Sequence, residues 1–196
     1  MHKGQDPDQE WDDPGLSTSQ EESDGKAGAH SAAAVHEKDP HERARNICLT
    51  QLSFAARTRS ELAKVLAKRE IPVDVAEAVL DRFTELGLIN DTEFAAAWAR
   101  SRQRSKGLAA RSISRELEGK GIADEDVDAA MAQLSEESEF ETAVALVTKR
   151  LRTLSSLDHD VKVRRLVGLL ARKGYSPGLS YRVVREVLDT QLADPE

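Results

Sequence analysis

Two stretches of the chain carry closely spaced basic side chains that could neutralise phosphates or pair with carboxylates. Six basic residues and no acidic ones lie between Phe94 and Arg115, and eight basic residues face only two acidic ones in residues 149–173. Such density is typical of surfaces that bind nucleic acid or acidic protein, although a solvated helix face explains it too. The candidate contact residues here are Arg100, Arg102, Arg104, Lys106, Arg111, Arg115, Lys162, Arg164, Arg165, Arg172 and Lys173.

Residues that could support catalysis or metal binding are sparse. The chain has one cysteine and five scattered histidines, which rules out a disulfide scaffold and a Cys-rich zinc site. There is no glycine-rich phosphate loop, and His159 has only Asp158 and Asp160 beside it. The sequence therefore predicts a binding protein without cofactor or metal, in which Cys48 is a buried structural thiol.

The negative charge of the chain is concentrated at its start. Residues 1–41 hold ten acidic and three basic side chains, which accounts for the whole net charge of −7, whereas the remaining residues balance. The segment has little to bury, so we predict a disordered acidic tail. Its acidity serves solubility on one interpretation, and repels or mimics DNA on another. No membrane span or secretory signal is predicted, and the expected location is the cytoplasm.

From residue 42 onward the pattern is helical. No proline lies between Pro72 and Pro177, and that stretch is rich in strong helix formers with apolar residues at helical spacing. Capping boxes are predicted at Thr58 and Ser138, each with glutamate three residues later. Gly168 falls inside a helix, where close packing of a neighbouring helix is the expected explanation. The predicted fold class is all-α.

One sequence pattern occurs three times: an apolar helix, then a short basic turn, then one apolar residue that is predicted to be buried and that we call the anchor. The anchors are Ile71, Ile122 and Tyr175, at intervals of 51 and 53 residues. This period predicts three tandem three-helix repeats, at residues 42–90, 91–137 and 138–190, with about nine helices forming an elongated, solenoid-like rod. Phe94 and Trp98, one helical turn apart, are predicted to belong to the core of the second repeat.

These patterns resemble the RecX family, bacterial regulators of the RecA recombinase, over residues 42–188. The most specific stretch runs from Gly87 through Asn90-Asp91, Phe94, Trp98, Arg100 and Arg102 to Gly107, and continues from Ile113 to Ile122. The pattern from Arg57 and Arg59 to Leu62 is similar too. By their charge, and not by a matched family site, these two arginines are also candidate contacts. This chain has Asn90 where the family usually has aspartate, Trp98 for tyrosine and Glu70 where glycine is common; the acidic tail is not part of the family pattern.

The resemblance implies a monomeric, non-enzymatic protein that binds RecA and the RecA–DNA filament and lowers their ATPase, coprotease and strand-exchange activities in recombination and SOS repair. The residues themselves predict no cofactor and no membrane partner, and we expect direct DNA binding to be weak and unspecific because the folded part has no net positive charge. Two alternatives stay open from the residues alone. One is a DNA-binding helical regulator, and the other is an α-solenoid adaptor for another protein.

Overall fold

The computed structural model describes residues 39–193, and the predicted tail falls almost entirely outside them. Its last residues belong to the first helix, which begins at Pro40 because Asp39 accepts a hydrogen bond from the His41 amide. The described residues form nine α-helices and no strand, which confirms the all-α prediction. The helices are α1 (Pro40–Phe54), α2 (Arg59–Lys68), α3 (Val73–Glu85), α4 (Asp91–Lys106), α5 (Ala110–Gly119), α6 (Asp124–Ala132), α7 (Glu136–Leu151), α8 (His159–Arg172) and α9 (Pro177–Ala193).

The helices are grouped in threes, and each group has its own hydrophobic core. The middle helices α2, α5 and α8 each contribute two fully buried aliphatic side chains one turn apart, and the anchor after each middle helix is also buried. Burial of such pairs is the main favourable term in each core. The buried pairs are Leu62 and Leu66, Ile113 and Leu117, and Leu166 and Leu170, and the anchors are Ile71, Ile122 and Tyr175.

The predicted helix starts are correct at one site and wrong at another. Thr58 and Glu61 form the predicted capping box at the start of α2. Ser138 is not a cap, because α7 begins two residues earlier and Ser135 accepts a hydrogen bond from the Ser138 amide. A serine three residues upstream offers the same hydroxyl, so the helix gains an extra turn.

The interpretation of Gly168 is also wrong. A Cβ atom built on Gly168 would meet only the Arg172 guanidinium, 3.5 Å away on the same helix. No neighbouring helix among residues 39–193 therefore requires a glycine there. Cys48, in contrast, is completely buried as predicted, and burial raises the pKa of its thiol to about 11.

Candidate functional site

The exposed face of the middle helices carries a regular series of basic side chains. In α2, α5 and α8, the positions two before, two after and six after the first buried aliphatic residue lie opposite the core. Six of these nine positions hold exposed basic side chains and none holds a carboxylate; the other three hold Ser60, Gly119 and Gly168. We call the six the basic stripe: Lys64, Lys68, Arg111, Arg115, Arg164 and Arg172.

The middle helices meet at their ends, so the stripe residues of one helix are followed by those of the next. The Thr58 hydroxyl at the start of α2 donates to the Lys120 carbonyl at the end of α5, 2.8 Å away. The Ala109 amide at the start of α5 donates in the same way to the Lys173 carbonyl at the end of α8, at 3.0 Å. The stripe therefore passes from α8 to α5 to α2 across two similar joints.

The joint between the first two repeats is reinforced by charge. The Lys120 ammonium lies 2.8 Å from Glu61 Oε1, and the Glu61 carboxylate also accepts from the Thr58 amide. The same ammonium lies 4.2 Å from the Trp98 ring centroid, a cation–π distance. Glu61 thus closes its own helix cap and holds the following repeat.

The joint between the second and third repeats uses different side chains. Lys173 Nζ donates to the Lys106 carbonyl at 2.7 Å, and Glu139 accepts from the Ala110 amide. The buried Tyr175 hydroxyl donates to the Gly107 carbonyl at 3.2 Å. Burial, together with the Glu139 carboxylate, raises the pKa of Tyr175, so the phenol remains a neutral donor.

Arg102 is the predicted contact residue that the structure corrects. Its side chain is only 3% exposed, with Nε 2.9 Å from Glu116 Oε2 and the guanidinium 3.9 Å from the Trp98 ring centroid. The Trp98 indole N–H donates to the same Glu116 oxygen at 2.9 Å, and Phe94 stacks on Trp98 as part of this core. Arg102 stabilises the second repeat and presents no charge to a partner.

The other predicted residues fall into two groups. Exposed side chains belong to Arg100, Arg104, Arg111, Arg115, Arg164, Arg165 and Arg172, and half-buried ones to Arg57, Arg59, Lys106, Lys162 and Lys173. Arg59 pairs with the Glu77 and Asp81 carboxylates of α3, so its charge is compensated within the chain. Lys64 and Lys68 are not among the residues predicted from the sequence. In the repeated pattern Lys64 corresponds to Arg115, and Lys68 corresponds to Arg172.

The third helices of the first two repeats, α3 and α6, complement the basic stripe with negative charge, whereas the charges of α9 balance. Helices α3 and α6 together carry eight carboxylates and one arginine, while α2, α5 and α8 carry nine basic and four acidic residues. Between residues 39 and 193 no three His, Cys, Asp or Glu side chains are placed to hold a metal ion. Over the same range no helix has the length and apolar character of a bilayer span. The arrangement is suited to contact with an extended anionic partner.

Family models match this chain in three consecutive segments. They describe the first three-helix domain of RecX at residues 44–83, the second at 90–131 and the third at 136–184. A protein from Streptomyces coelicolor named regulatory protein RecX is 50% identical over 88% of this chain and 93% of its own length. One of the same name from Thermobifida fusca is 47% identical over 86% and 90%. The crystal structure of RecX from Lactobacillus salivarius has the same fold, with a TM-score of 0.71 at 24% identity over 76% of this chain and 96% of that one.

Proposed function

The chain belongs to the RecX family of regulatory proteins, and we propose that it binds the RecA recombinase assembled on DNA and lowers its ATPase, coprotease and strand-exchange activities. The protein acts without catalysis of its own, by occupying the filament. The observation that best supports this proposal is the basic stripe, which follows three helices joined at their ends. A filament of protein and DNA offers phosphates and carboxylates along such a length.

The remaining features of the proposal concern how the protein meets its partner. It acts as a monomer in the cytoplasm, and its affinity for free DNA is weak and unspecific. The exposed arginines of α4, Arg100 and Arg104, extend the contact beyond the middle helices. Weak binding to free DNA follows from the balance of charges behind the tail, because the carboxylates of α3 and α6 oppose the stripe.

An ATPase assay tests the proposal directly. RecA on single-stranded DNA is titrated with the wild-type chain, and substoichiometric amounts should depress ATP hydrolysis. The paired substitution Arg111→Glu/Arg115→Glu reverses two stripe charges on α5. It should raise the concentration needed for half inhibition about tenfold or more, because it replaces attraction by like-charge repulsion at an anionic partner. No change in hydrolysis at any ratio of wild-type protein contradicts the proposal.

The matched control reverses charge away from the stripe. Lys149 and Arg150 are exposed in the last turn of α7, and Lys149→Glu/Arg150→Glu should inhibit like the wild type. Circular dichroism melting confirms that each variant is folded. Equal loss of inhibition in both pairs would indicate a general effect of net charge and would contradict the assignment of the stripe.

The alternative of a direct DNA regulator is supported by the same stripe and is separated by a second measurement. Binding of the chain to DNA fragments without RecA is measured at several salt concentrations. Tight binding that discriminates between sequences would favour the alternative. We expect weak binding of all sequences, with inhibition of RecA at protein concentrations far below those at which free DNA is bound.

A further inference from the structure

A groove lies at the boundary of the first two repeats. Its lining is mostly apolar, whereas the basic stripe consists of exposed cations. The groove has a volume of about 510 Å³ and is formed by the α1–α2 loop, the α3–α4 turn and one face of α4. We call it the junction groove; its main lining residues are Arg57, Leu88, Glu93, Phe94, Ala97 and Trp98. Most of this wall is apolar or aromatic.

Exposed apolar side chains lie in the segments that form the groove. Leu88 lines it and is 47% exposed, and Phe54 and Leu86, 76% and 55% exposed, lie within two residues of lining positions. Exposed apolar patches of this kind mark contact surfaces on soluble proteins. The residue types that dominate the binding energy at protein interfaces, tryptophan and arginine, are both present in the lining.

Arg57 gives the groove a half-buried guanidinium with one unpaired donor. Its Nε atom is buried, and no oxygen of residues 39–193 accepts a hydrogen bond from it. A buried donor without an acceptor is costly, and a carboxylate is the group that a guanidinium pairs with best in a protein contact. Arg59, two residues later, differs in having two carboxylate partners within the chain.

The lining favours a protein segment over nucleic acid. A DNA strand carries a phosphate every 3.4 Å or so along its axis, and most of these would face Leu88, Phe94 and the Glu93 carboxylate. A peptide with a single carboxylate for Arg57 among apolar side chains matches a mostly apolar wall that holds one cation and only one carboxylate, Glu93. The stripe and the groove therefore differ in the chemistry that each recognises.

We infer that the junction groove binds a segment of the RecA protein that presents apolar side chains beside one carboxylate, while the basic stripe faces the DNA. This inference rests on the proposed function, since it assigns the groove to the same partner. The groove supplies affinity that depends little on salt, because apolar burial is not screened by ions. It also fixes the orientation of the chain on the filament.

Substitutions at Ala97 test the inference without removing a native contact. Ala97 is exposed on α4 and lines the groove, so Ala97→Arg and Ala97→Glu both fill it. Binding to RecA on single-stranded DNA with a non-hydrolysed ATP analogue is measured by co-sedimentation. Both variants, and Arg57→Gln, should bind about tenfold more weakly or worse, as loss of a central contact does at other interfaces. The control Ala145→Arg, at an exposed position of α7, should bind like the wild type.

The outcomes separate this inference from the proposed function. If the wild type binds the filament and the Ala97 variants bind equally well, the groove assignment is wrong and the function stands. If Ala97→Arg binds more tightly and Ala97→Glu more weakly, the groove holds nucleic acid and the inference is overturned. Sedimentation of the chain alone as a dimer that Ala97→Arg dissociates would assign the groove to a second copy. Absence of wild-type binding to the filament overturns both proposals.

Discussion

Glu70 shows that the position of a turn in the repeat array decides whether a side chain can replace glycine there. The turns after the middle helices place Glu70, Gly121 and Gly174 in the left-handed region, with φ of 58°, 74° and 93°. A Cβ on Gly121 would lie 2.4 Å from Ser60 Cβ, and one on Gly174 would lie 2.9 Å from Ser112 Cβ, in each case in the preceding repeat. Glu70 belongs to the first repeat, and its exposed side chain meets no such neighbour. Steric freedom permits glutamate there, although the backbone strain remains.

Glu70→Gly should therefore stabilise the chain. A left-handed conformation costs a residue with a Cβ roughly 1 kcal/mol relative to glycine, part of which is offset by the larger entropy of glycine in the unfolded state. We expect the free energy of unfolding in urea to rise by about 0.5 kcal/mol. Glu70→Ala is the control, because it removes the same side chain and keeps the strain. Equal stability of the two variants would contradict this account.

At the scale of elements, the ends of the middle helices act as joints. At each joint a lysine carbonyl and a glycine pack against the first turn of the middle helix of the preceding repeat. The contact between repeats therefore requires that the glycine carry no Cβ atom. Gly119 and Gly121 lie two residues apart, one at the last position of α5 and the other in the turn that follows it. Gly119 is in the last turn of α5 with nothing within 4 Å of a built Cβ, whereas Gly121 meets Ser60.

This contrast predicts opposite effects of the same substitution. Gly119→Ala should raise the free energy of unfolding by up to about 1 kcal/mol, because alanine favours the helix. Gly121→Ala should lower it by about 2 kcal/mol or more, through strain at positive φ and overlap with Ser60. Chemical unfolding of both variants checks this, and a Gly121→Ala chain as stable as the wild type would show that the joint can relax at no cost.

Sequence patterns predicted the elements better than the contacts between them. The buried pairs and anchors followed from helical spacing and the repeat, since each depends on residues close in the chain. The burial of Arg102 did not, because it requires Glu116 of α5 to reach both Arg102 and Trp98 of α4. Lys64 and Lys68 do not form a dense basic run along the chain, and only the helical register places them on the same exposed face as Arg111 and Arg115. Placing the groove at Arg57 required three segments to be brought together in space.

At the scale of the whole described chain, charge is separated although its sum is small. Basic residues predominate on the middle helices and acidic residues on α3 and α6, so the field near the stripe is positive despite the neutral total. The stripe cations are exposed, and none of the six pairs with a carboxylate within residues 39–193. Cations of this kind are free to displace counterions from a polyanion.

The salt dependence of filament binding should therefore report how many stripe cations meet phosphate. Each phosphate neutralised on a single strand contributes about −0.7 to the slope of log affinity against log salt concentration. Arg111→Gln/Arg115→Gln should make the wild-type slope shallower by about 1.4 on that basis, and Lys149→Gln/Arg150→Gln should leave it unchanged. Co-sedimentation with RecA on single-stranded DNA between low and moderate salt provides the slopes. An unchanged slope with weakened binding would mean that these arginines contact protein carboxylates, and that the stripe does not face the DNA.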